Sequence, residues 1–465
     1  MRKTKIVCTI GPATDSEKGV KELAIAGMNV ARVNMSHGTN SEHIETITKI
    51  KKVRETLGKS IGIMVDLKGP EVRIGKFENG QVDLKDGQKF TLDTKSAVGN
   101  ATRVGVSTNE LFAKMQKGQR LLLSDGTIEL VAEEIQNTSA ICKVKSGGVL
   151  GSNKSINAPG LNLNLPFLSE VDKIDMLMAI SQGTEFVALS FVESKENVEA
   201  ARKFLNKNGG ADIKLIAKIE SANGVKNMEQ IIEAADGVMV ARGDLAVEVD
   251  FFRLPHIQNQ MLAMAKSKHK ISITATQMLV SMVSATRPTR AEVTDIANAV
   301  LFGSGAVMLS EETAVGTHPA LCVKTMAKIA SECEKHLKSN PLPTKKVATT
   351  FESVCLGAVS ASARSKIKNI VVVTGGGKTA CEIAAYRPNA NVVALTPHEQ
   401  TFNQMSILFG VEAYEIPIAS NSEKLWAVAK QKLLNEKLVN SGEQIIYLSG
   451  DPQKNENNQM EIRKI

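Results

Sequence analysis

KLIAKIESANGVKNMEQIIEAADGVMVARGD, residues 214–244, reads as a strand, a helix and a second strand. The first strand ends in Lys218-Ile219-Glu220 and the second in Arg242-Gly243-Asp244. Alternate side chains on a strand share a face, so Lys218 and Glu220 point the same way. A cation beside one carboxylate, with a second carboxylate at the next strand's end, suits Mg²⁺ plus a phosphate. A hard divalent cation wants oxygen ligands and often takes only one or two carboxylates from the protein. For an isolated Lys-x-Glu, a strand-end salt bridge is the plainer alternative, so the rest of the chain decides.

Outward from this stretch, the same alternation repeats. Candidate strands are 5–10, 29–34, 61–67, 185–192, 214–220, 237–243, 271–277 and 306–312. Amphipathic helices fall near 16–26, 40–57, 170–181, 194–208, 222–234, 255–268, 290–302 and 318–337. Eight consecutive βα units are the count of a closed (β/α)₈ TIM barrel. An open doubly wound sheet would not need eight in a row. Residues 68–160 break the rhythm and read as a β-rich insertion after strand 3, with Asp86-Gly87 and Asp125-Gly126 as hairpin signals. An insertion there lies over the face where barrel active sites sit, which makes it a lid. A linker at 339–346 leads into a second α/β alternation over 347–465. The expected organisation is a barrel of 1–67 and 161–338, a lid domain of 68–160 and a C-terminal α/β domain.

Composition narrows the class. The chain has 465 residues, 43% of them hydrophobic, and a net charge of +8 spread along its length. One Trp and three Tyr argue against an aromatic nucleic-acid platform. The six cysteines show no CxxC spacing and suit a reduced compartment. No stretch has the length of a signal peptide or membrane span, so a cytoplasmic protein is expected.

The polar residues at the strand ends form one inventory at the barrel mouth. They are Thr9; Arg32, Asn34, Ser36 and His37; Asp66 and Lys68; Ser190; Lys218 and Glu220; Arg242 and Asp244; and Thr276. Arg32 and Lys218 suit a phosphoryl group, and Glu220 and Asp244 suit Mg²⁺ (or Mn²⁺). Phosphoryl transfer is mostly positioning and charge neutralisation, which this set can supply. No Ser-His-Asp set or zinc spacing competes.

With these residues in view, the chain resembles the pyruvate kinase family over nearly its whole length. The resemblance rests on KIVCTIGPAT (5–14), GMNVARVNMSHG (27–38), DLKGPEVRIG (66–75), KIE (218–220), GVMVARGDLAVE (237–248), ATQML (275–279), RPTRAE (287–292) and VMLSEETAVG (307–316). It implies transfer of a phosphoryl group from phosphoenolpyruvate to ADP, giving ATP and pyruvate, in a homotetramer. It implies that Arg32 meets the transferred phosphate and that Lys218 neutralises it and the developing enolate. Glu220 and Asp244 hold Mg²⁺, the N–H groups of Gly243 and Asp244 take the substrate carboxylate, and Thr276 binds it and helps protonate the product. Ser190 joins the substrate site. Asn34, Ser36, Asp66 and the Leu67 carbonyl form a K⁺ site. Thr9, Pro12, Asn34, His37, Arg73, Lys154 and Asn157 face nucleotide or phosphate. Glu71 is the residue that goes with K⁺ dependence in this family.

Several positions depart from the family's pattern: Leu67 for Thr, Ala246 for Gly, and Glu311 for Gly or Ala. The loop Thr374-Gly375-Gly376-Gly377-Lys378-Thr379 has Gly376 in place of a Ser, where relatives bind a sugar-phosphate effector. Thr374, Lys378 and Thr379 still offer a phosphate nest for a sugar phosphate or AMP, against the plainer reading of a strand-to-helix turn. Two rivals remain: a Mg²⁺-dependent barrel aldolase or lyase working through a pyruvate enolate, and a non-catalytic effector-binding relative.

Overall fold

The computed structural model describes residues 2–124, 126–161, 163, 165–337, 349–451 and 456–465. Eight parallel strands close a barrel: β1 (Lys5–Thr9), β2 (Val30–Asn34), β3 (Gly62–Asp66), β4 (Phe186–Leu189), β5 (Lys214–Ile219), β6 (Gly237–Ala241), β7 (Ile271–Ala275) and β8 (Ala306–Leu309). Each pairs with its neighbour in sequence, and β1 closes on β8 with Lys5 opposite Ala306. These strands are buried on both faces, which is why they read as continuous apolar runs.

The helices between them start where the sequence marks a start. Capping boxes open Asn40–Leu57 (Thr39 with Glu42), Glu170–Ser181 (Ser169 with Asp172) and Arg290–Leu301 (Thr289 with Glu292). Several boundaries differ from the sequence expectation: the strands expected to run to 192 and 312 stop at Leu189 and Leu309, and Glu311–Ala314 is helical. The helix expected over 222–234 is two, Ala222–Lys226 and Met228–Ala234, separated at Asn227. Strand β6 stops at Ala241, its last partner being Ala275 of β7, and Arg242 and Gly243 already belong to the helix Arg242–Glu248.

Between β3 and β4 the chain forms a six-stranded sheet. It runs in the order 156–157, 120–123, 128–136, 139–146, 89–93 and 103–105, around its own core of Phe90, Leu92, Leu121 and Leu130. Asp86-Gly87 is a tight turn but not a hairpin. The strand before it, Gln81–Leu84, pairs with Gly148–Gly151, whereas the one after it, Lys89–Asp93, pairs with Ser139–Ser146. Asp125 lies outside the described residues, and the flanking strands 120–123 and 128–136 do pair antiparallel.

The C-terminal sheet holds β9 (Asn369–Val373), β10 (Asn391–Thr396), β11 (Val411–Glu415), β12 (Gln444–Asp451) and β13 (Glu456–Lys464). The order is β11-β10-β9-β12-β13, and only β13 runs antiparallel. This domain plugs the N-terminal end of the barrel. Barrel residues Met64, Phe186 and Ile273 share one apolar cluster with Ile370, Met405 and Ile407. Gly62 donates its N–H to Ser406 at 3.0 Å, and a Cβ there would meet the Phe186 ring at 2.7 Å. The bottom of the barrel is therefore filled, leaving the strand C-terminal ends as the open mouth.

Candidate active site

The mouth is built around a buried charge cluster. Lys218, at the end of β5, places Nζ 3.0 Å from Glu220 Oε1 and 3.2 Å from Asp66 Oδ1. It also donates to Ser190 Oγ at 2.7 Å, and Ser190 in turn donates to the Leu67 carbonyl at 2.6 Å. Burial would depress the Lys218 ammonium, but Asp66 and Glu220 outweigh it and raise its pKa. It is a fixed cation across the physiological range. Arg32 donates Nε to Asp66 Oδ2 at 2.6 Å and Nη1 to Thr9 Oγ1 at 2.9 Å. Its Nη2 makes no hydrogen bond among the described residues and is the guanidinium edge left for a ligand. Burial opposes ionisation of Asp66, yet Lys218 and Arg32 hold its carboxyl below the ordinary value.

Glu220 is the other carboxylate of the cluster, only 1% exposed. Its Oε2 accepts the Phe191 N–H at 2.8 Å. Burial pushes its carboxyl up to about 7, Lys218 resists, and the neighbouring Asp244 adds to the rise. A buried carboxylate raised further by a second one marks a place short of positive charge. Among the described residues no group of three or more His, Cys, Asp or Glu side chains could hold a metal. A pair is what a divalent cation needs if waters and substrate complete its shell. The donor set fits.

Opposite this pair, β7 ends in strain. Thr276 and Gln277 have φ of +67° and +53°, and Phe191 after β4 has +53°. Non-glycine residues in this region cost about 1–3 kcal/mol each, and such outliers cluster at functional sites. Long-range bonds hold Thr276 there: Arg242 Nη2 donates to its carbonyl at 2.6 Å, Arg242 Nε to Ala275 O at 3.1 Å, and Arg242 Nη1 to Asp295 at 2.7 Å. Thr276 Oγ1 donates to the Ala275 carbonyl and accepts the Gly243 N–H at 2.9 Å. The Gly243 N–H assigned to substrate thus already faces the hydroxyl assigned to it.

Around this centre the mouth is basic. His37 is exposed on the rim, and partial desolvation of its ring, followed by the charges of Arg73, Arg32, Lys154 and Lys68, holds it below the ordinary histidine value. Exposed Pro12 and Lys154 and half-buried Asn34 and Ser36 lie on the rim. Asn34 sits opposite Asp66 in the β2–β3 register, and its Oδ1 accepts the Ser36 N–H at 3.2 Å. Arg73 is paired with Glu71 at 2.6 Å and donates to the Asn153 carbonyl at 3.0 Å. Asn157 donates to Glu248 Oε1 at 3.2 Å, which ties the lid sheet to the barrel helix Arg242–Glu248.

The sequence reading missed the partners that hold these groups: Glu71 for Arg73, Asp295 for Arg242, Glu248 for Asn157. It also missed a buried acid near the lid's base. Gly69, with φ of +72°, donates its N–H to Asp172 at 3.0 Å, and a Cβ there would meet Ser190 at 2.8 Å. One turn on, Asp175 is 2% exposed and its Oδ2 has no partner among the described residues. Burial and then Asp172 push its carboxyl from 3.8 up to about 6, against Lys68. An acid whose folded pKa exceeds its unfolded one costs stability above that folded pKa, and the cost vanishes below the unfolded value. Asp175→Asn is therefore expected to stabilise the protein at pH 8 by about 1–3 kcal/mol. Urea unfolding at pH 8 and pH 4 should show that gain at the higher pH only; a loss at pH 8 would contradict the assignment.

In the glycine loop, Thr374 Oγ1 accepts the Gly377 N–H at 3.0 Å, Thr379 is buried, and Lys378 lies over the Phe351 ring at 4.8 Å. Part of the nest is thus already used within the domain.

Known proteins match this arrangement across the chain. A family model described as the pyruvate kinase barrel domain matches residues 1–323. A second, the pyruvate kinase alpha/beta domain, matches 352–463. The chain belongs to the pyruvate kinase family. It is 38% identical to the pyruvate kinase of Clostridium acetobutylicum over 97% of both chains. It is 39% identical to that of Geobacillus stearothermophilus, over 97% of this chain and 78% of the relative. It is 36% identical to that of Clostridium perfringens over 97% of both. Pyruvate kinases are phosphotransferases that depend on a divalent metal, and the two-carboxylate pair at the mouth is where such a metal fits. Among the described residues, no helix is long and apolar enough to cross a membrane.

Proposed function

We propose that the chain transfers the phosphoryl group of phosphoenolpyruvate to ADP at the mouth formed by Arg32, Lys218, Glu220, Asp244 and Thr276. The observation that carries this reading is the Lys218 ammonium, buried between Asp66 and Glu220 within a basic rim. Glu220 and Asp244 would hold Mg²⁺, or Mn²⁺, whose charge polarises the substrate's oxygens when bound. Arg32 presents its remaining guanidinium edge to the phosphate. Lys218 neutralises the bridging oxygen as its bond to phosphorus breaks and the new bond to the ADP oxygen forms. The enolate so released takes a proton at carbon, with the Thr276 hydroxyl on that path, and leaves as pyruvate. Gly243 and Asp244 N–H groups orient the carboxylate at the start of their helix. Ser190 keeps Lys218 in place, and Thr9 does the same for Arg32.

In the same reading 68–160 is a lid that excludes water over the nucleotide, with Arg73, Lys154, Asn157, His37 and Pro12 on the nucleotide side. Asn34, Ser36, Asp66 and the Leu67 carbonyl would take K⁺, a large cation suited to neutral oxygens plus one carboxylate. An assay coupled to lactate dehydrogenase tests the whole reading. Pyruvate should appear only with phosphoenolpyruvate, ADP and a divalent cation together, and its absence would reject the proposal. Replacing K⁺ by a tetraalkylammonium salt should lower kcat/KM at least about tenfold. Unchanged activity would remove the K⁺ site and the significance given to Glu71. A homotetramer and a sugar-phosphate or AMP effector at Thr374, Lys378 and Thr379 are part of the same proposal.

A further inference from the structure

At the end of the barrel away from the mouth, the barrel and the C-terminal domain form a half-open cavity of about 750 Å³. Five basic side chains line it: Arg2, Lys3, Lys266, Lys335 and Arg387. Among the described residues the one carboxylate on its wall, Glu334, already accepts the backbone N–H groups of Lys3 and Thr4 at 2.8 and 2.6 Å. Lys335 Nζ pairs with Glu332 Oε2 at 2.6 Å, whereas Lys3, Arg387 and Arg2 donate to uncharged partners. Lys3 Nζ donates to the Pro388 and Asn389 carbonyls at 2.7 and 3.1 Å. Arg387 donates to the Gly303 carbonyl and lies 4.0 Å over the Phe409 ring. Arg2 donates from Nη2 to Gly27 O and Asn29 Oδ1, while its Nε and Nη1, both buried, have no acceptor among the described residues.

The basic groups here outnumber the two carboxylates beside them, Glu334 and Glu332. Burial depresses Arg2, Lys3 and Lys266 and takes Arg387 down to about 10, with Glu334 opposing the fall at Arg2, Lys3 and Arg387. Arg387 further depresses Lys3 and Lys266. Like charges held together at low dielectric cost free energy that a multiply charged anion returns. Arginine and lysine at one site suit a phosphate, whose oxygens accept several charge-assisted bonds at once. The volume exceeds that of a bare anion and falls in the range of metabolite pockets. Leu301 and Phe302, 49% and 53% exposed, add an apolar wall.

We propose that this cavity binds a small organic phosphate, its phosphate among Arg2, Lys266 and Arg387 and its uncharged part on Leu301 and Phe302. The site shares no lining residue with the mouth or with the glycine loop 374–379. A ligand held there bridges the barrel to the C-terminal domain. Sugar phosphates and nucleoside monophosphates carry the same phosphate chemistry, so the test separates them.

Titration calorimetry on the full chain without substrate or metal would use inorganic phosphate, ribose 5-phosphate, AMP, ribose and adenosine. One organic phosphate is expected to bind at least about tenfold more tightly than inorganic phosphate, and which one names the class. Lys378→Ala removes any effector held at the glycine loop and should leave the binding at this cavity in place, and Lys266→Glu in that background should weaken it at least about tenfold. Lys335→Glu, at a largely exposed position, repeats the test if Lys266→Glu melts early. The proposal is overturned if no organic phosphate binds more tightly than inorganic phosphate. Binding in the Lys378→Ala background that survives both charge reversals overturns it too.

Discussion

Lys218→Met is expected to lower kcat by about 10³-fold or more, because a preorganised charge at the reacting centre is worth about 10²–10³ per contact. In the proposed mechanism Lys218 serves two groups in sequence, the phosphate in flight and the enolate oxygen left behind. Its loss should thus fall on kcat more than on KM. The variant should also melt earlier. Removing one partner of a buried ion cluster leaves the others uncompensated, at about 3–5 kcal/mol, and here Asp66 and Glu220 would both lose a cation. Arg32 still pairs with Asp66, and the rest of the barrel is unchanged, so the fold survives with a lower Tm. Steady-state kinetics and circular-dichroism melts read the two effects separately. Lys218→Arg keeps the charge and should recover stability better than turnover, since the longer fork displaces the point charge. A Lys218→Met protein with near-normal kcat would remove Lys218 from the mechanism.

How much of this was legible in the sequence depended on how local each signal was. The eight strands were legible because a barrel strand buried on both faces is a continuous apolar run. The helix starts were legible because residues such as Thr39 with Glu42 satisfy their own backbone nearby. Charged residues such as Lys218, Glu220 and Asp244 appeared together as soon as strand ends were aligned. What was not legible rests on partners distant in sequence. Asp86-Gly87 is a sound turn signal, but whether the flanking strands pair is decided by Gly148–Gly151 and Ser139–Ser146. Nothing local predicts a left-handed Thr276; it is imposed by Arg242, which is itself fixed by Asp295. Likewise Asp175 looks like an ordinary helix acid until packing removes it from water.

Glu220→Gln is expected to move activity and stability in opposite directions. Activity should fall at least about 10²-fold, since one of two carboxylates for the metal becomes a neutral amide while the phosphate's charge is undiminished. Metal titrations of kcat/KM should show a weakened half-saturation as well. Without metal, the wild-type site carries the opposite burden. Glu220 is buried beside Asp244, and its carboxyl is pushed from 4.5 up to about 7. The ionised form therefore costs stability, fully above about pH 7 and not at all below about pH 4.5. Glutamine keeps an oxygen for the Phe191 N–H and removes the charge. In EDTA at pH 8 the variant should be more stable than wild type by about 1–3 kcal/mol, offset in part by the lost ion pair with Lys218. The advantage should vanish near pH 4.5, and Mg²⁺ at pH 8 should restore wild type while leaving the variant unmoved. This is the pattern of a site whose strain is relieved by its ligand, and it separates a metal-binding carboxylate from a structural one. A structural Glu220 would make the variant less stable at every pH and equally indifferent to metal, and that result would place the cation elsewhere.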